Sequence, residues 1–362
     1  MKTGFDDDGS RLIDLASIVG PQCAVEVYRE KRDWIQAHVG TIGGSACAAP
    51  LGLNKEYGFL TTPYQAAVKF LATEPEKERV ETPSMRMGNR LEGTIAEVFA
   101  ESIDGAEVLR PSGPAGEKWV LLRRRDRPHF VATLDRLVIV DAGKSSERKI
   151  IVECKNVGAR MADEWVVDRR SDGFEVREAP LRHRAQVFHG LFVADLVVPS
   201  FETAVAAFLG GQDAHPADGA TFKTDAEVVE WVEVAVRSLD LFVEKVRSGW
   251  LPEPGARDLD FVRATLGQVS AGEISLDIRH DALADEWETW KATKADLNAK
   301  MKAVDERVDE LKAKMRAAMG VCSIGKLPSG RQWVAKRVNR RGYEVAASSY
   351  ETLDMKVPKA AS

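Results

Sequence analysis

The chain has 362 residues, with 51 Lys and Arg against 56 Asp and Glu, a formal net charge of −5 and a hydrophobic share of 44%. That apolar share supports a substantial core in one large domain or two ordinary ones, and it excludes disorder as the dominant state. No apolar run reaches the roughly 18–20 residues needed to cross a bilayer, and residues 1–8 are acidic where a secretory signal would be basic and then apolar, so a cytosolic protein is expected. Taken at face value, the negative balance also argues against a nucleic-acid partner. The four cysteines, Cys23, Cys47, Cys154 and Cys322, form no C-x-x-C pair, so the spacing specifies neither a zinc ribbon nor a compact iron–sulfur site. Buried thiols in a reducing compartment are the expectation.

In chain order, residues 1–20 read as a flexible lead. The pattern from 25 to 39 predicts a short helix ending at Gly40, and Gly43, Gly44 and Ser45 open a small-residue helix at 46–49. A helix is predicted at 64–72 and a stronger one at 83–102, with Met87, Leu91, Ile95 and Val98 on one stripe. Strands follow at 119–122 and 130–140. A polar turn at 141–147 leads into a further strand at 149–155, so the pair reads as an antiparallel hairpin. Pro180 opens a helix to about 194, residues 204–209 read as a strand, and Thr224 caps a helix reaching Ser248. The tail differs in kind. Leu283, Trp287, Trp290, Lys294, Leu297 and Met301 begin a heptad seam that runs to Ala318 and is closed by Gly320, a helix roughly 50 Å long. Such a narrow seam needs a partner, either the 224–248 helix or another protomer, and packing of that kind is favoured over a free-standing rod because Lys294 interrupts the seam. Residues 330–338 and 343–357 read as short strands of a small β appendage. The predicted organisation is a lead at 1–20, a main domain at 21–265, the long helix at 281–320 and the appendage at 321–362.

The hairpin carries the chemistry. Side chains alternate along a strand, so Glu153 and Lys155 share one face while Ile150, Val152 and Cys154 take the other. Asp135 and Glu153 are equidistant from Lys144, and a hairpin symmetric about that residue sets the two acids opposite each other, with Cα atoms roughly 5 Å apart. Two hard oxygen ligands plus water suit Mg²⁺ or Mn²⁺, and an ammonium beside that ion can orient attacking water and stabilise charge on a phosphate. The acid-x-Lys pattern alone says little, since it recurs at Glu147, Glu310 and Asp354. Glu153 stands apart because its strand is strongly apolar and follows one that bears an acid. A buried structural Glu–Lys pair remains the alternative. Three further features point to a cleft. Glu92 sits one step off the buried stripe of its helix, and Arg182, Gln186 and His189 form a polar stripe opposite Val187, Leu191 and Ala194. The Gly43-Gly44-Ser45 turn offers N–H groups and a hydroxyl to a phosphate.

The order of these motifs resembles the YqaJ-type viral recombinase family, relatives of phage lambda exonuclease within the PD-(D/E)XK nucleases. The matching pieces are Ile42-Gly43-Gly44-Ser45, Met87-Gly88-Asn89-Arg90-Leu91-Glu92, Ala132-Thr133-Leu134-Asp135, Val152-Glu153-Cys154-Lys155 and Gln186-Val187-Phe188-His189, within roughly 32–212. The resemblance implies an α/β (α+β) fold with a restriction-endonuclease-like core, a central mixed sheet flanked by helices, to which the long C-terminal helix and the β appendage are added. It implies that Asp135 and Glu153 bind the divalent metal, with Glu92 reaching it directly or through water. Lys155 would position the water, Gln186 would support the scissile phosphate, and Ser45 would lie near a terminal 5′-phosphate. Where relatives often carry an Arg seven residues before that serine, this chain has His38, with Arg32 as a substitute; Arg182 and His189 complete the expected DNA-contacting set.

The implied activity is phage-type 5′→3′ digestion of linear duplex DNA, leaving 3′ single strands for a phage single-strand annealing protein, by a homo-oligomer that is trimeric in some relatives. The implied location is the cytoplasm of a phage-infected or prophage-bearing bacterium, with no membrane partner. Other readings are a RecB-like nuclease of repair or CRISPR adaptation, a non-catalytic DNA-binding or assembly protein on the same scaffold, and a structural protein organised by the long helix. Arg331, Lys336, Arg337, Arg340 and Arg341, interleaved with Trp333 and Tyr343, read either as a nucleic-acid patch or as a solvated strand face. Residues 110–190 carry 17 Lys and Arg against 12 Asp and Glu, so the acidic total conceals a locally basic region compatible with DNA.

Overall fold

The computed structural model describes residues 11–54, 61–75, 82–170, 173–209, 218–266 and 273–334. They divide into two compact units, 1–268 and 269–362, each taken by itself. The first unit contains β1 (Leu12–Asp14), β2 (Cys23–Tyr28), α1 (Lys31–Gln36), α2 (Gly44–Cys47), α3 (Pro63–Leu71) and α4 (Pro83–Glu101). It continues with β3 (Ala106–Ser112), β4 (Trp119–Arg124), β5 (Val131–Ala132), β6 (Arg136–Val140), β7 (Arg148–Val157), α5 (Ala159–Ala162), β8 (Val166–Arg170) and β9 (Gly173–Glu178). The unit closes with α6 (Leu181–Val193), β10 (Phe201–Leu209), β11 (Asp218–Lys223), α7 (Ala226–Arg247) and α8 (Leu259–Leu266).

A six-stranded sheet in the order β1, β3, β6, β7, β10, β11 forms the centre. Strands β3, β6 and β7 are an antiparallel meander, and the chain then crosses through α6 to bring β10 back parallel to β7. With α4 leading into β3, this gives a mixed sheet flanked by helices, the core that the resemblance implies. The period of two explains why both faces are covered. Val138, Val140, Ile150, Val152, Ala204 and Ala206 pack against Ile95, Phe99 and Ala100 of α4. Their neighbours Leu137, Ile139, Ile151, Val205 and Ala207 join the larger cluster that takes in Phe188 and Leu191 of α6 and Leu239 of α7. The turn between β6 and β7 is built on left-handed backbone at Asp141 and Gly143 (φ +55° and +78°), which polar and glycine residues tolerate.

Several local expectations are corrected. Ordered structure begins before residue 21: Ile13 and Leu15 are fully buried, and β1 pairs parallel with β3 at the sheet edge. The helix predicted over 25–39 is instead β2 followed by the short α1. Val25, Val27 and Tyr28 fit a pleat, and β2 pairs antiparallel with β4. Strand β3 was not foreseen. The continuous strand expected over 130–140 is broken at 133–135 because β5 pairs with β4 in a separate three-stranded sheet while β6 belongs to the central one. Asp225, not Thr224, caps α7, accepting from the Val228 N–H at 3.0 Å, and the Thr224 hydroxyl donates to the Phe201 carbonyl. On α4 the buried stripe is Ile95, Ala96, Phe99 and Ala100, with Met87 exposed.

The second unit contains α9 (Ile278–Met319), a single 42-residue helix about 63 Å long, and the hairpin of β12 (Ile324–Lys326) and β13 (Gln332–Val334). Asp277 caps α9 and Gly320 closes it, and no α9 residue is buried. The expected strand at 343–357, and with it Lys336, Arg337, Arg340, Arg341 and Tyr343, lies outside the described residues. Among the described residues, no helix is long and apolar enough to cross a membrane.

Candidate active site

The break after β5 shapes the site. The β6–β7 register pairs Arg136 with Val152 and Val140 with Arg148, so the hairpin is symmetric about Lys144. Asp135, one step beyond the last ladder pair, falls in line with Glu153, and its Oδ2 accepts the Cys154 backbone N–H at 2.9 Å. Glu153 is buried on β7, and its Oε1 accepts from the Lys155 ammonium and from Gln186 Nε2 on α6, the latter at 2.5 Å. Gln186 is close because α2 and α6 pack tightly: a Cβ added at Gly44 would stand 3.1 Å from Gln186 Cγ. His38, Gly44, Ser45, Asp135, Glu153 and Gln186 line one cleft, and His38 and Ser45 also line an adjoining cavity of about 400 Å³.

Glu92 approaches from α4 and ion-pairs with Arg136, the residue after Asp135. The same Arg136 nitrogen donates to the Asp135 carbonyl at 2.7 Å. Glu92, Asp135 and Arg136 line a depression of their own, so Asp135 belongs to both hollows.

The electrostatics record an excess of negative charge. Burial, and then the charge of Asp135, push the Glu153 carboxyl up to about 8 against the pull of Lys155. Burial draws the Lys155 ammonium down, but Glu153 and Asp135 outweigh it and hold its pKa above the usual lysine value. Glu92 is raised by burial and by Asp135, with Arg136 pulling the other way. Acids held in this way are relieved by a cation. Among the described residues, Asp135 Oδ1 and Glu153 Oε2 have no hydrogen-bond donor, so two opposed carboxylates each offer one hard oxygen, a set that fits a small divalent ion completed by water. Among the described residues, no group of three or more His, Cys, Asp or Glu side chains is placed to hold one ion. Glu92 is turned to Arg136, and Asp135 and Glu153 are the pair that fits.

Two expected DNA contacts are corrected. His189 is buried inside α6, its Nε2 3.1 Å from the Val131 carbonyl, and burial drives its pKa down to about 4. It is a neutral core group because α6 is covered nearly all round. Arg182 is tied to Glu164 with both side chains largely buried, which removes its charge from the cleft. Of the two candidates near Ser45, His38 lines the cleft, its Nδ1 2.8 Å from the Trp34 carbonyl, whereas Arg32 lies on the exposed face of α1. Sequence reading missed Arg136. The signal was present, since an arginine in the buried run Arg136-Leu137-Val138-Ile139-Val140 requires a counter-charge, the same argument that singled out Glu153.

A helix, a three-stranded antiparallel meander and a helical crossover into a parallel strand, with Asp135 in line with a Glu153-x-Lys155 strand, define a core of the PD-(D/E)XK type. Residues 33–197 match the model of the YqaJ-like viral recombinase domain. Among solved structures, the chain is similar to the crystal structure of LHK-Exo in complex with dAMP, at 13% identity and a TM-score of 0.37, over 65% of this chain and 99% of that one. A second structure, an alkaline exonuclease (LHK-Exo) from Laribacter hongkongensis, gives 13% identity and a TM-score of 0.38 over the same shares. Curated protein sequences give no match.

Proposed function

We propose that this chain is a divalent-metal-dependent deoxyribonuclease that digests linear duplex DNA 5′→3′ and leaves 3′ single strands for recombination by annealing. The observation that carries this reading is the Glu153 carboxylate, buried, shared by Lys155 and Gln186, and in line with Asp135. Asp135 and Glu153 would hold Mg²⁺ or Mn²⁺, which supplies Lewis acidity toward a phosphodiester and acidifies bound water. Lys155, kept protonated by the two acids, orients the attacking water and stabilises charge on the phosphate. Gln186 fixes the Glu153 carboxylate, and the Arg136 clamp on Glu92 holds a third acid beside Asp135. Ser45 and His38, on the wall of the same cleft, receive the terminal phosphate. The resemblance extends the proposal to a phage annealing protein as partner, in the cytoplasm of a phage-bearing bacterium.

The test is digestion of linear duplex DNA bearing 5′-phosphate or 5′-hydroxyl ends, with Mg²⁺ and with chelator, by the wild type and by Glu153→Ala and Lys155→Ala. Activity should require metal and fall at least about 100-fold in either variant. Metal-independent digestion, or full activity in both variants, overturns the mechanism, and equal digestion of a closed circle overturns the end-directed reading.

A further inference from the structure

The nuclease reading leaves the second unit unused, and charge is sharply divided along it. Residues 277–310 carry 10 Asp and Glu against 6 Lys and Arg, whereas residues 311–343 carry 9 Lys and Arg and not one Asp or Glu, in a chain whose total is −5. A surface kept for solubility intersperses both signs, and a one-signed run is the footprint of a polyanion. Local chemistry accounts for only part of this run. The C-terminal end of a helix attracts cations, and on α9 Lys312 is paired with Asp309 at 2.8 Å and Lys314 with Glu310. The next cations have no such answer. Among the described residues no carboxylate pairs with Arg316, Lys326 or Arg331; Arg316 donates to the Cys322 carbonyl at 3.0 Å and Arg331 to the Ser329 hydroxyl at 3.1 Å, which leaves their charge uncompensated.

These cations are held on one framework. Gly325 of β12 lies so close to the end of α9 that a Cβ there would stand 2.9 Å from Met319 Cγ, and Arg316 reaches across to the chain that leads into the hairpin. Lys326 pairs with Gln332 across the ladder, and the Arg331 carbonyl accepts the Leu327 N–H at 2.9 Å, so both cations stand at the hairpin tip. Trp333 follows two residues after Arg331 and is 39% exposed. Its cross-strand partner is Gly325, which puts no side chain beside the ring. An exposed indole among uncompensated cations matches the two things a single strand offers at every step, a base face and a phosphate. We infer that this end of the second unit, built from Arg316, Lys326, Arg331 and Trp333, is a second DNA site and that it binds single-stranded DNA. The choice of DNA over another polyanion rests on the nuclease reading, whose product is a 3′ single strand. In a duplex the bases cover one another, and Trp333 would have no face to stack on.

The experiment is fluorescence anisotropy of a labelled oligo(dT) of about 20 nucleotides, titrated with the full chain in chelator at several salt concentrations. Chelator stops metal-dependent cleavage and leaves the Asp135 and Glu153 charges in the cleft uncompensated, so the cleft itself attracts DNA least under these conditions. The proteins are the wild type, Lys326→Ala with Arg331→Ala, the charge-keeping Lys326→Arg with Arg331→Lys, and Trp333→Ala. The double alanine variant should bind about 10- to 30-fold more weakly near about 0.1 M salt, with a log–log salt slope shallower by about 1.4. The charge-keeping variant should bind as the wild type does, which separates lost charge from lost folding. Trp333→Ala should bind at least about 5-fold more weakly with its salt slope unchanged. A wild type that does not bind oligo(dT) in chelator, or a double alanine variant with wild-type affinity and slope, overturns the site. A duplex of the same length bound as tightly as oligo(dT), with Trp333→Ala without effect, overturns its single-strand preference. Hairpin-dependent binding by a chain that shows no metal-dependent digestion supports the site and sinks the nuclease reading alone, and digestion without hairpin-dependent binding sinks the site alone.

Discussion

Arg136 lays its guanidinium on the Glu92 carboxylate, and the same nitrogen donates to the carbonyl of Asp135, so an acid on α4 is tied to the backbone of an acid at the start of β6. Arg136 is buried and Glu92 is partly so, which makes the pair costly to break from one side only. Arg136→Met is expected to lower stability by about 2 kcal/mol in metal-free buffer, and Glu92→Gln added to it should restore more than half of the loss. Urea midpoints of the two single variants and the double variant measure this. A double variant as unstable as the sum of the singles shows that the pair does not couple.

Gly44 sets the position of Gln186. A methyl there would press on the Gln186 side chain at 3.1 Å and on its carbonyl at 3.4 Å, and so displace the donor to Glu153. Gly44→Ala should reduce DNA digestion about 10- to 100-fold with a small change in melting temperature, and Gln186→Ala should do the same. If both act through the one hydrogen bond, the combined variant is no worse than Gln186→Ala alone. Multiplied losses separate the two effects.

His189 gives a pH dependence whose sign is fixed by burial. Its folded pKa is lowered from 6.5 to about 4, so the folded state keeps the imidazole neutral while the unfolded chain takes up a proton. The stabilisation is complete above 6.5 and is lost as the pH falls toward 4. Between pH 7.5 and 5 the loss is about 2 kcal/mol. Unfolding free energies of the wild type and His189→Gln, which can still donate to the Val131 carbonyl, should converge by that amount over this range. A gap that stays constant with pH removes His189 as the cause.

Ion binding has a readout that does not require turnover. A ligand that binds only the folded state at about 100 times its dissociation constant stabilises by about 2.7 kcal/mol. Mg²⁺ or Mn²⁺ should therefore raise the melting temperature of the wild type and leave Asp135→Asn and Glu153→Gln nearly unchanged. An equal rise in all three places the ion elsewhere.

Much of the site was legible because its parts are local. The symmetry of the β6–β7 hairpin about Lys144 follows from alternation and the polar turn, and it brings Asp135 into line with Glu153 as the spacing predicts. The long helix α9 was legible for the same reason, since a period repeated from 283 to 318 leaves little choice of structure. Helix patterns on α6 were less informative. Arg182, Gln186 and His189 share a face by spacing, yet only Gln186 reaches the cleft, because Glu164 takes Arg182 and the core takes His189.

By itself, then, the sequence determined the hairpin register, the acid, acid-x-lysine order and the heptad helix, all set by periodicities of two and three and a half within one stretch of chain. The tertiary structure decided what lies between distant segments. It placed the strand break that takes Asp135 out of the ladder, the Arg136 clamp on Glu92, the contact of Gln186 with Glu153, and the burial of His189. These depend on which sheet a strand joins and which side of a helix is covered, and such choices are settled by burial summed over the whole core, not by any local pattern.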